Sequence, residues 1–529
     1  MTAPSPKLAS RIVLALAWLA IMAAYGLLID LKGISTDEGI RLAIINGGRP
    51  FTVPPPATPP TWAMVLETGN PYAYQPLYYL MQNTLMRAAG THDVLFFRGV
   101  NIFFLGVALW GLLALSTDWR LGPRLFLLGL FSFHGYLFMH VLQIREYIVA
   151  VAFYVWSSWL VLRLDARTLG RSWADVGWFT AYGLLLAAGF FLQSWVVFPA
   201  IGQAAFLVLR RRAGAVRFFA HLALTYLIVL SCAWPYLESH RQRADVGRWG
   251  AQGTNLWPQL SDGFHLVLSG HMPGRSNFTE FLFWFWPAVV VGAALLLFSR
   301  KFDDVTGVAQ AEFKRTGRLM VLCSGASLAF QIGYFLKVEN LSVWPRYFII
   351  HYFFVTWLIA LGFKYLDDLR AAGVGPAWAR RALQAAVGVI AAVALASAVF
   401  QTHSYRKDPY LDTGISAAFN WGMLADGLAP IVQPGDVLIA HDFVIRSTLS
   451  FTRPTANPFI VLPELETANP VKSAGRLLYL ESISVRAQRA ELAARMAALG
   501  FTHLEEIGIR VGAEQRVLTD WYILAFRRG

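Results

Sequence analysis

The sequence is poor in charged residues and almost free of cysteine. Only 15% of its 529 residues are charged, whereas soluble domains carry about 25%. Both cysteines, Cys232 and Cys323, fall inside apolar runs, where each is expected to pack as a small hydrophobic side chain. A disulfide framework is therefore excluded, and the sequence has no CxxC motif and no zinc-ligand spacing.

Apolar and aromatic residues are abundant instead. Hydrophobic residues make up 56% and aromatic residues 14% of the chain, with 19 Trp. This composition predicts a polytopic membrane protein in contact with membrane lipids. The net charge of +13 raises the alternative of a nucleic-acid partner. The basic residues, however, lie in short clusters between apolar runs, which is the positive-inside pattern, so no nucleic acid is expected.

About eleven apolar segments are long enough to cross a bilayer, since a spanning helix needs roughly 20 mostly apolar residues. These segments are 11–29, 98–116, 124–142, 147–163, 177–193, 195–210, 217–237, 281–299, 319–337, 345–363 and 382–400. The stretch 177–210 has two interpretations. It is either two short spans broken near Gln193 and Ser194, or one long tilted helix.

Lysine and arginine predict the orientation. With the N-terminus in the cytoplasm, every alternate loop that falls inside is basic, as the positive-inside rule requires. Eleven spans then place the C-terminal tail outside. The N-terminal run resembles a signal peptide, but no small-residue A-x-A cleavage site closes it before Asp30. We therefore expect an uncleaved first span.

Two long outer loops lie between predicted spans, and a C-terminal tail follows the last span. The loops cover about 30–97 and about 238–280. In the tail, "DVLIAHDF", "RLLYLES" and "WYILAFRR" predict strands, and "SVRAQRAELAARMAALG" predicts an amphipathic helix ended by Gly500. The expected fold class is mainly α: a polytopic membrane domain over 1–402, followed by a small α/β domain outside the membrane over 403–529.

The first outer loop opens with "ISTDEG", which holds two adjacent carboxylates, Asp37 and Glu38. Ser35 and Glu38 fit a capping box of a short helix that ends at Gly47 and Gly48 and is expected to lie along the membrane surface. Capping explains Glu38 better than Asp37. A carboxylate near a helix N-terminus is also held ionised by the helix dipole, so capping and general-base catalysis are compatible.

The same loop continues with a proline-rich stretch and a second helix. "RPFTVPPPATPP" predicts a polyproline-like strap, and Pro76 suits the first turn of the helix that follows. The apolar residues of that helix fit an interfacial position. For its tyrosines, anchoring at the membrane interface is the structural explanation.

Five stretches, in this order, resemble the GT-C glycosyltransferases, in particular the bacterial relatives of protein O-mannosyltransferases and the lipid A aminoarabinose transferase. They are "TDEG" after span one, "QPLYYLM" in the same loop, "FFRGVNIFFLGVAL" opening span two, "REYIVAVAFYVW" opening span four and "WPRYFIIHYFFVTWLIALG" in span ten. The likeness covers roughly residues 10–400. An outer C-terminal domain after about eleven spans also matches that family.

The resemblance implies a reaction and a location. A sugar carried on a polyprenyl phosphate is moved, with inversion, to a hydroxyl of a glycan, lipid or protein acceptor at the outer face of the bacterial cytoplasmic (inner) membrane. The first-loop aspartate of that family, matching Asp37, acts as general base or orients the acceptor hydroxyl. Glu38 matches its acidic neighbour, and Glu146 matches a position that carries a second acid.

The resemblance also implies the groups that bind the substrates. The residues implied for the donor phosphate are Arg41, Arg98, Arg145 and Arg346. Further substrate contacts are implied for Gln75, Tyr79 and Tyr347, although relatives often have His or Lys where Gln75 stands.

These residue types suit that chemistry. A carboxylate at hydrogen-bond distance takes the proton of the attacking hydroxyl, an effect typically worth about 10²–10⁴-fold. Arginine stabilises a departing phosphate through bidentate geometry. Structural alternatives stay open: snorkelling or lipid-headgroup contact for each arginine, and a local ion pair with Arg145 for Glu146.

No cofactor is implied by these patterns. The second outer loop carries several histidines, His265 and His271 among them, and two tryptophans. Three roles stay open for this loop: it covers the donor, it recognises the acceptor, or it is a plain solvated loop. Its histidine spacing matches no zinc pattern, so no metal site is expected, and a divalent cation is left open.

Two other functions compete with glycosyl transfer. A transporter or flippase of lipid-linked glycans should place charged residues in mid-span, whereas most predicted spans carry charges only at their ends. No inverted pair of halves and no repeat stands out either. A non-catalytic assembly subunit would keep the fold without the activity, and the acidic pair of the first loop argues against it.

Overall fold

A computed structural model of the chain describes residues 6–30, 36–48, 59–69, 76–91, 93–166, 173–210, 216–242, 256–297, 303–337, 345–373, 375–407, 421–441, 445–446, 449, 457–482, 489–511 and 516–529. The first sixteen helices are α1 (Pro6–Leu28), α2 (Thr36–Ile45), α3 (Trp62–Gly69), α4 (Pro76–Ala89), α5 (Val94–Leu115), α6 (Leu121–Ser132), α7 (Gly135–Val141), α8 (Tyr147–Ala166), α9 (Trp173–Leu192), α10 (Val197–Arg210), α11 (Val216–Gln242), α12 (Leu256–Ser269), α13 (Asn277–Leu297), α14 (Asp303–Lys337), α15 (Ile349–Ala371) and α16 (Ala377–Lys407). The remaining elements are α17 (Trp421–Leu428), β1 (Val437–Ala440), β2 (Phe459–Val461), α18 (Asn469–Ser473), β3 (Arg476–Ser482), α19 (Arg489–Ala498), β4 (Phe501–Val511) and β5 (Arg516–Arg528).

Two compact units make up the chain. The helical unit comprises Met1–Leu31 and Arg98–Gly414, and the second unit comprises Lys32–Phe97 and Ile415–Gly529. The second unit thus combines the first outer loop, predicted to belong with the membrane domain, with the C-terminal α/β residues. The boundary predicted near residue 402 stays a prediction.

Each of the eleven predicted spans corresponds to a helix or to the α6–α7 pair. Six helices are long and apolar enough to cross a membrane, and the bent α6–α7 pair makes a seventh among the residues that the structure describes. Shorter apolar helices lie within α9, α10 and α11. The chain is a multi-pass membrane protein, and the count of eleven spans stays a prediction.

The predicted stretch 177–210 is broken, not continuous. α9 ends at Leu192, and a 3₁₀ turn over Ser194–Val196 precedes α10. The interpretation as one long helix is therefore wrong, and the break falls at the predicted Gln193.

The core of the helical unit lies at α8 and α15. In the apolar 18-residue segments of α8 and α15, 72% and 89% of the residues are buried. The corresponding values are 22% in α1 and 11% in α16. The outer helices carry exposed apolar side chains such as Leu27 and Leu395. Exposed side chains of this kind suit contact with lipid tails, which are as apolar as leucine itself.

Small residues let helices approach closely within this core. A Cβ atom built on Gly202 of α10 would lie 2.5 Å from the Cα atom of Cys323 on α14. Cys323 is itself fully buried, as expected for a small hydrophobic residue, whereas the side chain of Cys232 lies outside the described residues. Glycine at such crossings is a common device of membrane helices.

The bend between α6 and α7 measures 64° and interrupts the helical hydrogen bonds. Side chains from distant helices replace them. Tyr25 Oη donates to the carbonyl of Ser132 at 2.7 Å, and Tyr352 Oη donates to that of Phe131 at 2.6 Å. The amide of Gly135 donates to Oε1 of Gln401 at 3.1 Å. Backbone groups without such partners are costly in hydrocarbon.

The C-terminal residues form a five-stranded sheet in the order β2-β1-β3-β5-β4. β1 is parallel to β2 and β3, and β5 is antiparallel to β3 and β4. Two separate hydrophobic clusters involve the residues of this sheet. One includes Leu477 and Met496, and the other includes Leu478 and Ile523. Since alternate strand residues point to opposite faces, both faces of the sheet are covered. This confirms the small α/β domain.

The first outer loop contributes α2, α3 and α4 to the second unit. A turn containing Gly47 and Gly48, whose φ angles are 60° and 74°, closes the C-terminal end of α2, as predicted. Only glycine adopts this left-handed conformation without strain. The amide of Gly48 donates to the carbonyl of Ala43 at 2.8 Å, which closes the helix end.

Arg446 joins the two parts of the second unit. Its Nη1 donates to both carboxylate oxygens of Glu464 at 3.1 and 3.0 Å, and its Nη2 donates to the carbonyl of Gly48 at 2.8 Å. The side chain is 9% exposed. Hydrogen bonds of a buried charged group rank among the stronger ones, so Arg446 holds the end of α2 to the α/β residues.

Removing this contact is expected to loosen the end of α2. In Arg446→Ala, the amides of residues 42–48 should exchange hydrogen about tenfold faster or more, because charged hydrogen bonds are lost. The matched control is Arg527→Ala, which removes an arginine paired at 3.3 Å with Glu505, both of them more than half exposed. Equal hydrogen-exchange rates of the amides of residues 42–48 in the two variants would show that Arg446 does not hold this helix end.

The crossing of α10 and α14 provides a second test. Gly202→Ala should lower the melting temperature in detergent, because the new methyl group overpacks the crossing at a cost of about 1–3 kcal/mol. Gly325→Ala on α14 is the control, since no atom of the part of the chain that the structure describes lies within 4 Å of its added Cβ. A control that melts as early as Gly202→Ala would contradict the close approach.

Candidate functional site

A break between α7 and α8 lies buried in the helical unit. α7 ends at Val141, α8 begins at Tyr147, and the five residues between them are buried and irregular. Nδ2 of Asn101 on α5 donates to the carbonyl oxygens of Gln143 and Arg145, the second at 3.2 Å. These bonds replace partners that a continuous helix would provide.

Arg145 and Glu146 stand at the end of this break. Their side chains are 2% and 3% exposed. The Arg145 guanidinium lies over the ring of Tyr147, with Cζ 5.8 Å from the ring centroid, which is cation–π geometry. The carbonyl of Glu146 accepts the amide of Ala150 at 3.0 Å. Glu146 is therefore the residue just before α8, at the helix N-terminus, where the helix dipole favours a negative charge.

Arg98 lies one helical turn before Asn101 on α5, so both residues share one face of that helix. Its side chain is 1% exposed, and Nη1 donates to the carbonyl of Ile29 at 3.1 Å, just beyond the end of α1. A basic group complements the carbonyl end of a helix. Asn101 thus links the Arg98 face of α5 to the break over 142–146.

Aromatic rings support this region. The ring of His140 lies 4.6 Å from that of Tyr136 and 4.8 Å from that of Tyr147, both in edge-to-face geometry. All three residues are buried. Such pairs prefer this arrangement, so they fix Tyr147 beneath the Arg145 guanidinium.

The predicted Arg346–Tyr347 pair lies in a 3₁₀ turn before α15. The ring of Tyr347 stacks on that of Trp195 at 4.9 Å, and its carbonyl accepts a bond from Nε2 of Gln331 at 3.3 Å. Oε1 of Gln331 pairs with Nε2 of His351 at 3.0 Å. Tyr347 is thereby tied to the break between α9 and α10, and the side chain of Arg346 lies outside the described residues.

The end of the second outer loop is a packed polar network in the part that the structure describes. Nε2 of His265 pairs with Oε2 of Glu280 at 3.0 Å, and Nδ1 lies 3.0 Å from Oγ of Ser269. Burial, together with the smaller effect of the nearby charge of Arg275, lowers the pKa of His271 to about 4. His271 is therefore neutral at neutral pH. This end of the loop is not a plain solvated segment.

In the second unit, α2 carries the acidic pair. Asp37 lies in its first turn, with a side chain outside the described residues. Glu38 and Arg41 are 0% and 3% exposed and, three residues apart, share one face of the helix. The described part of α2 is buried on nearly every side, and its position along the membrane surface stays a prediction.

α4 packs next to α2 and carries the predicted Tyr79. Tyr78 and Tyr79 are 0% and 2% exposed, with ring centroids 5.5 Å apart. They pack inside the unit, so surface anchoring does not describe them. Nδ2 of Asn83 donates to the carbonyl of Ile45 at 2.9 Å and so holds the end of α2. Gln75 lies outside the described residues.

Two site residues, Asn101 and Asn83, were not expected from the sequence. Each is a buried amide that donates to backbone carbonyls of another segment. A polar residue inside an apolar span is a functional candidate by default, so Asn101, three residues after Arg98, carried a usable signal. Among the described residues, no group of three or more His, Cys, Asp or Glu side chains is arranged to hold a metal ion.

Known proteins provide comparisons of structure only. No protein-family model and no curated protein matches the sequence. ArnT from Cupriavidus metallidurans, in the apo state, is similar with a TM-score of 0.52 and 12% identity, over 98% of this chain and 98% of that chain. ArnT bound to undecaprenyl phosphate gives a TM-score of 0.49 and 12% identity, over 97% of each chain.

A second glycosyltransferase is similar over part of its length. Arabinofuranosyltransferase AftD from Mycobacteria matches with a TM-score of 0.50 and 13% identity, over 100% of this chain and 40% of that chain. At these identities the likeness concerns the fold. The chain has the fold of the GT-C membrane glycosyltransferases, as the resemblance of its sequence predicted.

Proposed function

We propose that this protein is an integral-membrane glycosyltransferase that moves a sugar from a polyprenyl-phosphate donor to an acceptor hydroxyl. The observation that carries the proposal is the buried Arg145–Glu146 pair at a helix break within a GT-C fold. Buried charges are costly at membrane depth and are kept mainly where function requires them.

The donor phosphate is proposed to bind at Arg98 and Arg145. A guanidinium has five N–H donors, so the bond from Arg98 to Ile29 fixes the side chain and is compatible with a phosphate contact. Undecaprenyl phosphate is the lipid bound in one ArnT structure, and we infer a carrier of that class from the basic residues and the resemblance. Arg41 and Arg346 remain proposed phosphate contacts, and Gln75, Tyr79 and Tyr347 remain proposed substrate contacts.

The proposed reaction is a single displacement. The carboxylate of Asp37 takes the proton of the acceptor hydroxyl, whose oxygen forms a bond to the anomeric carbon. The bond from that carbon to the phosphate oxygen breaks on the opposite side, so the configuration inverts. The polyprenyl phosphate leaves with its developing charge stabilised by arginine. Glu146 is the proposed second acid, and burial of Glu38 and Arg41 favours a part in positioning Asp37.

We place the protein in the bacterial inner membrane, with the N-terminus in the cytoplasm and the C-terminal domain in the periplasm. The positive-inside pattern of the loops supports this orientation. The sugar and the acceptor are left unspecified, because the described residues include no site whose contacts select them.

Asp37→Asn tests the base. Asparagine keeps the size and a side-chain oxygen of aspartate but takes up no proton, so kcat should fall about 10²–10⁴-fold while donor binding is retained. The assay follows transfer or hydrolysis across a panel of undecaprenyl-phosphate sugars. Asp93→Asn is the control, since Asp93 is an exposed carboxylate that accepts the amide of Leu95 at 2.9 Å. Full turnover by Asp37→Asn would remove Asp37 from the mechanism.

Arg145 tests the phosphate site. Arg145→Gln should lower kcat/KM for the donor about 10²-fold or more, because charge on the leaving phosphate loses its partner. Arg145→Lys should recover part of the loss, since lysine keeps the charge without the planar fork. Arg163→Gln on α8, the helix that follows Arg145, is the control, because Arg163 likewise lies over an aromatic ring, 5.2 Å from that of Trp159.

The same preparations separate transfer from transport. Wild type that turns over none of the donors, yet carries them across vesicle membranes, would identify a flippase and end the transferase proposal. Loss of turnover in Arg163→Gln equal to that in Arg145→Gln would contradict a specific phosphate contact.

A further inference from the structure

A large groove in the helical unit has no part in the proposed reaction. It has a volume of about 1360 Å³ and is lined by α1 between Ser10 and Met22, by α5 between Phe103 and Ala114, and by residues that follow α5. Its walls are mostly apolar, and Trp18 and Trp110 contribute to them. Trp110 is 65% exposed, so the groove is accessible from the outer surface of the helices.

One end of the groove is closed by contact between its two helices. Nε1 of Trp18 donates to the carbonyl of Gly106 at 3.1 Å. A Cβ atom on Gly106 would lie 2.9 Å from the Trp18 ring and 3.1 Å from the methyl carbon of Met22. The groove is therefore shut near this crossing, and an occupant enters from the side or from the other end.

The other end is basic. Three arginines contribute to its lining: Arg11, Arg120 and Arg124. Nη2 of Arg124 donates to the carbonyl of Leu113 at 3.1 Å, whereas its Nε is buried without a hydrogen-bond partner among the described residues. The acids nearby are Asp368, 4.0 Å from Arg120, and Asp118, which acts on Arg124. Neither acid lines the groove.

The dimensions fit one leaflet of a bilayer. Met22 follows Ser10 by twelve positions along α1, which is about 18 Å at the helical rise. Half of the hydrocarbon core measures about 15 Å. Arg98 and Leu115 lie about 25 Å apart along α5. The basic end is thus at the opposite face of the membrane from the arginine proposed to bind the donor.

We propose that this groove binds an anionic phospholipid. One acyl chain lies between α1 and α5 against Trp18 and Trp110, and the phosphate lies against Arg11, Arg120 and Arg124. Apolar walls match the acyl chain, and the guanidinium groups match the phosphate. The site is independent of the proposed reaction and stands whether or not the protein transfers sugar.

Native mass spectrometry of the purified full chain in detergent tests the site. Phosphatidylglycerol and phosphatidylcholine with identical acyl chains are offered at equal concentration. The chain should retain phosphatidylglycerol about tenfold or more over phosphatidylcholine, since basic clusters attract anionic headgroups. Equal retention of the two lipids would overturn the proposal. So would binding of inorganic phosphate strong enough to displace phosphatidylglycerol, because the acyl chain would then be dispensable.

Two variants locate the binding. Replacing Arg11, Arg120 and Arg124 by glutamine should abolish the preference for phosphatidylglycerol. Ala15→Trp, which fills the groove and leaves the arginines intact, should lower retention of phosphatidylglycerol about tenfold. If the triple variant fails to fold, Ala15→Trp still tests the site, because Ala15 is an exposed residue of the groove lining.

The matched control replaces Arg380 and Arg381 by glutamine. These exposed arginines lie on α16, away from the lining, and their loss should leave retention unchanged. Retention of phosphatidylglycerol by Ala15→Trp at the wild-type level would place the lipid elsewhere. Preferential retention of undecaprenyl phosphate over phosphatidylglycerol would assign the groove to the donor and overturn the proposal.

Discussion

Hydrocarbon provides no hydrogen-bond partners, and the helical unit is arranged around that constraint. Wherever a helix is interrupted, side chains from other helices must satisfy the freed backbone groups. Tyr25 and Tyr352 do this for the last carbonyls of α6, and Gln401 does it for the amide of Gly135 at the start of α7. Their hydroxyl and amide groups therefore stabilise a bend that would otherwise leave polar backbone groups in an apolar core.

The same constraint explains where charge is found. The break over 142–146 exists because Asn101 supplies donors to its carbonyls, and this break ends with Arg145 and Glu146. A continuous helix from α7 to α8 would carry this pair on regular helical positions. Breaking the helix instead sets Glu146 at an N-terminus, where the dipole favours the carboxylate. It also stacks Arg145 on Tyr147, which keeps the guanidinium in a fixed orientation.

Local pattern predicted a large part of this fold. Apolar runs of about 20 residues correspond to helices throughout, and Gly47, Gly48 and Gly500 end helices with positive φ angles, as their patterns predicted. The elements that the sequence did not predict are α3, α12, α17, β2, α18 and β4. β2 has only three residues, and β4 alternates weakly because polar residues occupy much of it. Such elements form through pairing with neighbours, which sequence periodicity does not record.

The sequence by itself determined the membrane class, the positions of the helices, and the residue types that suit phosphate and proton transfer. Tertiary structure alone decided which polar groups are buried and what they touch. Tyr79 is buried inside the second unit although its pattern is typical of anchoring at a membrane interface, and Glu38, read as a capping residue, is fully buried as well. Arg446 reaches Gly48 across 398 positions of the chain. Periodicity reports which face of an element is apolar, but a hydrogen bond between distant segments depends on how the elements pack, and only the folded chain specifies that.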